Sequence, residues 1–234
     1  MKTRTQTIQF FLVRHGESAA NVGGTVGGNS VPLTDEGLKQ SAVLGEYFAQ
    51  MGYVFDAAWH STLPRAVQTF QELSRALSPE QLDAAHVFPD KRIIERQHGA
   101  WEGKPSKEIW TSTEIARMNQ LGADYATPGG ESFRDVERRT DLWLQDTIKI
   151  ARSREKDRVL FLVVSHGHAL RCLVAPLLGL SSHTYWRMSL DNTSITGIHW
   201  ADEHGWFLDC WNSCPHLGRL TLSHCFGGFF VCLG

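Results

Sequence analysis

Short, nearly unbroken apolar runs alternate along this chain with longer stretches whose hydrophobic residues recur at helical spacing. Ile8 to Val13 (IQFFLV) and Arg158 to Ser165 (RVLFLVVS) are the clearest runs, and they read as strands buried on both faces, as in a parallel sheet. Phe55 to His60 reads as another short strand, and Val87 to Glu95 as a weaker strand-and-loop region. The helical stretches carry end signals. Thr34 can cap a helix, with Asp35 and Glu36 near its positive end, that runs to about Met51 and stops at Gly52. Pro64 suits the first turn of the next helix, where Val67, Phe70, Leu73 and Leu77 share a face. Ser132 to Asp135 has the form of a capping box, and Phe133, Val136, Thr140, Trp143, Leu144 and Ile148 give the following helix its apolar stripe. Another helix follows His166-Gly167 and ends at Gly179. Ser194 to Trp200 and Trp206 to Trp211 flank Asp202-Glu203-His204-Gly205, which predicts a β-hairpin. Gly99 to Gly130 is irregular with helical stretches and is expected to cover one end of the sheet.

Strands alternating with helices predict an α/β fold: a three-layer α/β/α sandwich around a mostly parallel central sheet. The chain has 234 residues and no linker-like segment, so one domain over residues 1–217 is expected. The segment 218–234 (GRLTLSHCFGGFFVCLG) stands apart as an atypical apolar tail; it is short for a membrane span. Three readings of the tail stand: it packs back on the domain, it mediates self-association into a homo-oligomer through a sticky patch of exposed Phe226, Phe229 and Phe230, or it comes from an alternative transcript or gene-model extension.

A net charge of −2, from 23 basic and 25 acidic residues, argues against a dedicated nucleic-acid binder and leaves room for a small anionic substrate. Met1 to Gln9 has no apolar signal core, and no uncharged apolar run is long enough to span a bilayer. Cys172, Cys210, Cys214, Cys225 and Cys232 are odd in number and crowd towards the C-terminus, so free thiols and a cytoplasmic location are expected. Cys210, Cys214, His216, His224 and Cys225 match none of the usual zinc spacings, and no metal site is expected.

The chemistry lies at the strand ends. Arg14-His15-Gly16 and Ser165-His166-Gly167 each put a His-Gly at the exit of a predicted buried strand. Ligands of open α/β sheets bind beyond the C-terminal strand ends, so neighbouring strands would bring both imidazoles to one site. A neutral imidazole nitrogen is a nucleophile towards phosphorus near neutral pH. Arg14 and Arg65, the latter in a helix's first turn, offer guanidinium forks that match phosphate oxygens, and a protonated His166 would add charge. Glu95, in a loop, would have a raised pKa beside bound phosphate and could protonate the leaving oxygen. Each signal is weak alone; their order along the chain gives them force.

That order resembles the histidine phosphatase superfamily, in the branch that includes cofactor-dependent phosphoglycerate mutase. The matching pieces are Leu12-Val13-Arg14-His15-Gly16-Glu17-Ser18 with Asn21; Pro32-Leu33-Thr34 with Gly37; and Ser61 to Thr69 (STLPRAVQT). Glu95 before Gly99-Ala100-Trp101-Glu102-Gly103, Pro128-Gly129-Gly130-Glu131-Ser132, Val164-Ser165-His166-Gly167-His168, Asp191-Asn192-Thr193-Ser194 and His216-Leu217 continue the likeness over about residues 8 to 217. The resemblance implies a phosphoglycerate mutase-like fold and a phosphoryl group carried by His15 and held by Arg14, Arg65 and His166. It implies Glu95 as proton donor, Asn21, Gly28 and the backbone around Gly167 lining the substrate pocket, and no metal or organic cofactor. His168 reads equally as a substrate contact or as a first-turn helix residue. The short return from Gly103 to Pro128 resembles the phosphatase members, since the mutases carry a longer basic insertion there. The expectation is a metal-independent phosphomonoesterase acting on small phosphorylated metabolites. The alternatives are mutase-type transfer and a catalytically silent module of the same fold.

Overall fold

A computed structural model describes residues 5–218, so the tail beyond Gly218, with Cys225, Cys232 and His224, lies outside the described residues. The chain runs β1 (Thr7–Arg14), α1 (Ala19–Gly23), α2 (Asp35–Gln50), β2 (Ala57–Ser61), α3 (Pro64–Ser74), β3 (Val87–Asp90), α4 (Ser106–Ile109), α5 (Ser112–Leu121) and α6 (Phe133–Arg152). It continues with β4 (Arg158–Ser165), α7 (Gly167–Leu177), β5 (Ile195–Ala201) and β6 (Gly205–Ser213). One sheet takes the order β3-β2-β4-β1-β5-β6. The β1–β4, β2–β4 and β2–β3 pairs are parallel, and the hairpin β5–β6 completes the sheet with antiparallel pairs. The expected α/β sandwich is therefore observed, with the central strands β1 and β4 paired.

Alternation along β1 sorts its side chains into two cores. Ile8, Phe10 and Leu12 join Trp143, Leu170 and Leu173 from α6 and α7, while Phe11 and Val13 join Leu44, Phe48 and Phe70 from α2 and α3. A third cluster packs Met118 and Tyr125 of the 99–130 segment on Phe133, Ala169 and Tyr185. That segment thus rests on α6 and α7 at one end of the sheet, as its sequence implied.

The caps hold as read: Thr34 Oγ1 accepts from Gly37 N–H at 3.0 Å and Ser132 Oγ from Asp135 N–H at 3.1 Å. The weak run at Val87 is a strand of only four residues, because Lys91–Ile93 coils into a 3₁₀ turn that lifts Glu95 off the sheet. Among the described residues, Cys172 and Cys210 are free thiols, no group of three or more His, Cys, Asp or Glu could hold a metal ion, and no helix is long and apolar enough to cross a membrane.

Candidate active site

The parallel register brings the ends of three strands to one level: Arg14 pairs with Ser165, and His60 pairs with Val164. The residues just past those ends therefore meet. The His15 N–H extends the ladder to Ser165 O at 3.0 Å, and the rings of His15 and His166 lie 5.1 Å apart, centroid to centroid. The chain can turn away after His15 because residue 16 has no side chain. A Cβ on Gly16 would lie 2.5 Å from the carbonyl oxygen of Gly37. The first turns of α3 and α7 open onto the same edge and bring Arg65, Gly167 and His168.

His15 is 3 % exposed. Its Nδ1 is 2.7 Å from Gly16 O, an atom that only accepts, so Nδ1 carries the proton and Nε2 keeps a lone pair. Arg65 Nε–H donates to that Nε2 at 3.3 Å. Burial first, and then the charges of Arg14 and Arg65, hold the His15 pKa well below the usual histidine value. The imidazole is neutral at neutral pH.

The two guanidiniums are aimed by backbone carbonyls rather than by carboxylates. Arg65 Nη1 donates to Gly28 O at 2.8 Å, and Arg14 Nη1 donates to Leu190 O. Arg14 Nε is buried without a hydrogen-bond partner, and so is Nδ1 of the fully buried His166, whose Nε2 is 2.7 Å from Ser61 Oγ. Unpartnered buried polar atoms call for an explanation, and here two of them lie within one site beside His15. Burial, Arg65 and His15 also push the His166 pKa well below normal. His166 is therefore neutral, against the protonated state expected from sequence. A buried site already holding two arginines disfavours another cation.

Glu95 differs from expectation as well. Burial alone would raise its pKa, but hydrogen bonding from His168 and the charge of Arg65 outweigh burial and hold it well below normal. Its Oε1 accepts the N–H groups of Arg96, His168 and Ala169 at 2.8, 3.1 and 3.3 Å. The last two belong to the first turn of α7, where an anion is favoured. Glu95 is thus a carboxylate in the free site.

Arg14, His15, Arg65 and Glu95 line a cleft of about 210 Å³, whereas His166, fully buried beside His15, is not part of its wall. Asn21 lines it; its Oδ1 is taken by Ser18 N–H, Ser18 Oγ–H and Asn192 Nδ2–H at 3.0, 2.9 and 3.3 Å. Gly167 and His168 line it too, whereas Gly28 does not: its carbonyl serves Arg65, and neighbouring Gly27 forms the wall. His168 takes both sequence readings, being a first-turn helix residue whose ring faces the cleft and lies 3.8 Å from Glu95. Sequence reasoning missed His98, Trp110 and Arg171, which also line the cleft. Burial, His168 and Arg96 push the His98 pKa down to about 3, so its ring is a neutral wall. Arg171 was discoverable, since it lies four residues after Gly167 and shares its helix face. No local signal pointed to His98.

A model of the histidine phosphatase superfamily (branch 1) matches residues 10–213. The chain belongs to the histidine phosphatase superfamily. Across its length it is similar to the Yersinia pestis protein named probable phosphoglycerate mutase GpmB, at 28% identity over 222 residues covering 92% of this chain and 97% of that one. A structure titled mycobacterial hydrolase 1 superposes with a TM-score of 0.76 at 26% identity, covering 89% of this chain and 100% of its own. A mycobacterial glucosyl-3-phosphoglycerate phosphatase in complex with VO3 superposes with a TM-score of 0.72 at 27% identity, covering 88% and 99%. Histidine phosphatases and mutases thus both stand among its relatives, and both move phosphoryl groups.

Proposed function

We propose that this histidine phosphatase superfamily member is a metal-independent phosphomonoesterase that acts on small phosphorylated metabolites through a phosphohistidine on His15 Nε2. One observation carries the reading: a neutral His15 with an unprotonated Nε2 stands between two carbonyl-aimed arginines, beside a second imidazole with an orphaned nitrogen. Phosphoryl oxygens take Arg14 Nε, the Arg65 guanidinium and His166 Nδ1, while His15 Nε2 attacks phosphorus in line with the leaving oxygen. The P–O bond breaks, and Glu95 protonates the leaving oxygen. Glu95 then takes a proton from the water that attacks phosphohistidine, which returns orthophosphate and neutral His15.

The positive charge needed for this step is supplied by side chains: three guanidiniums line the cleft, from Arg14, Arg65 and Arg171, against one carboxylate. Hydrolysis of p-nitrophenyl phosphate is accordingly expected to proceed unchanged in excess EDTA and to be inhibited by vanadate. Loss of activity in EDTA, restored by a divalent metal, would sink the metal-independent reading.

Hydrolysis is favoured over mutase transfer because the 99–130 segment lends the cleft Ser106 and Trp110 and no basic side chain, next to the neutral ring of His98. A bisphosphorylated intermediate would turn its second phosphate towards neutral groups there. With 3-phosphoglycerate, release of orthophosphate is expected; conversion to 2-phosphoglycerate without release would overturn this preference.

The charge states set a pH dependence. The free site holds neutral His15 and ionised Glu95, so it has no proton for the leaving oxygen. The proton must enter with the substrate monoanion, whose second ionisation has a pKa of about 6. Beside the bound phosphoryl group the Glu95 carboxylate is penalised and accepts that proton. For an alkyl phosphate, kcat/KM is therefore expected to be level in mild acid and to fall with rising pH above about 6. A profile level from pH 5 to 9 would contradict this assignment of the proton.

A further inference from the structure

Among the described residues, only Thr193 and Asn212 combine a side chain with positive φ, at 57° and 56°. For β-branched Thr193 this is a genuine outlier, and such outliers persist where their surroundings over-determine them. Both belong to one bonded assembly.

Residues 188–193 form a strap between the 3₁₀ helix Ser182–Arg187 and β5. Three successive carbonyls of the strap each accept from a different side chain. Met188 O accepts from Arg171 Nε at 2.6 Å, Ser189 O from Trp211 Nε1 at 2.7 Å, and Leu190 O from Arg14 Nη1. Asp191 N–H then donates to Asn212 Oδ1 at 2.6 Å, and Asn192 Nδ2 donates to His15 O at 3.0 Å. Thr193 N–H donates to Arg14 O at 3.0 Å. The strap thus faces two ways. On one side it holds Arg14, the backbone of His15 and Arg171; on the other it is held by Trp211 and Asn212 of the edge strand β6.

Successive residues of a regular strand point to opposite faces, so neighbours 211 and 212 would not ordinarily grip one segment. Here the β5–β6 register shifts around Gly197, and Asn212 adopts its left-handed conformation. A bulge re-aims side chains in this way and is often found beside active sites. Neither Trp211 nor Asn212 lines the cleft.

We propose that Trp211 and Asn212 are positioning residues for phosphoryl binding. The β6 bulge sets the strap, and the strap sets the guanidinium of Arg14 and the backbone of His15. The inference rests on the hydrolase reading above. Its physical core is that Arg14 is anchored on Leu190 O through Nη1 while Nε is left for the anion, so a shift of the strap shifts Nε with it.

The test separates the side-chain acceptor from the backbone geometry. Asn212→Gly keeps the left-handed conformation without strain and removes the acceptor. Asn212→Asp keeps an acceptor and tolerates the conformation. Trp211→Phe keeps a ring in the packing and removes the N–H. Vanadate affinity, kcat/KM for p-nitrophenyl phosphate and Tm are measured for each. Asn212→Gly and Trp211→Phe are expected to weaken vanadate binding by about tenfold or more at nearly unchanged Tm, since misplacement of a binding group by about 1 Å costs of order 10²-fold. Asn212→Asp is expected to restore most of the affinity. Vanadate constants within twofold of wild type for both Asn212→Gly and Trp211→Phe would overturn the proposal, as would Asn212→Asp falling as far as Asn212→Gly. A wild-type protein that binds vanadate yet hydrolyses no monoester would sink the hydrolase reading alone, and the vanadate constants would still judge the brace. One that binds no vanadate would sink both.

Discussion

Replacing His15 with alanine is expected to lower turnover of any phosphomonoester by about 10⁴-fold or more while leaving the fold in place. The size of the effect follows from the absence of a substitute. His166, the other imidazole at the site, is fully buried with Nε2 against Ser61 Oγ, and its ring is not part of the cleft wall from which a nucleophile would attack. The fold should survive because the strand ladder at this level is made by backbone groups, His15 N–H to Ser165 O among them. The lost ring leaves Gly16 O without one donor, a penalty of about 1–3 kcal/mol. Circular dichroism, a thermal melt and single-turnover kinetics check this. A folded variant with ordinary turnover would show that another group attacks phosphorus.

The second large effect is expected at Glu95 and depends on the leaving group. Glu95→Gln keeps an oxygen to accept from the N–H groups of Arg96, His168 and Ala169, so the loop before α7 should hold. It removes the ability to transfer a proton. An alkoxide is a poor leaving group, and phosphoryl transfer from an alkyl phosphate is expected to slow by about 10²–10⁴-fold. p-Nitrophenolate leaves unaided near neutrality. With that substrate the variant should give a rapid burst of one product per site, then stall, since Glu95 is also the base for water in the second step. Equal loss of the burst with both substrates would mean that Glu95 acts by charge or position and does not move the proton.

Much of this site could be read from the chain before its fold was known. Each of the four main groups follows an element with a strong local signal: His15 and His166 follow the two most apolar runs, Arg65 follows Pro64, and Glu95 follows a short strand. Parallel strands β1 and β4 then do the rest, because their register leaves no freedom in where residues 15 and 166 emerge. The charge states were not legible. A protonated His166 and a Glu95 of raised pKa are sensible for a phosphate complex, but burial and Arg65 keep His166 neutral, and His168 with Arg65 keeps Glu95 ionised. Gly28, expected to line the pocket, instead uses its carbonyl to aim Arg65, since residue type alone does not say which way a loop carbonyl points. The strap at 188–193 was invisible for a deeper reason. Its partners Arg14, Arg171, Trp211 and Asn212 come from β1, α7 and β6, and no local pattern records contacts of that separation.

The central claim is a covalent one, that His15 Nε2 bonds to the phosphoryl group during turnover. Rapid quenching of the enzyme with ³²P-labelled substrate, followed by peptide mapping under alkaline conditions, tests it directly. The account predicts acid-labile, alkali-stable label on His15, formed at least as fast as product and accumulating in Glu95→Gln. An enzyme that turns over briskly while its peptides stay unlabelled, or that carries its label on another residue, would contradict it.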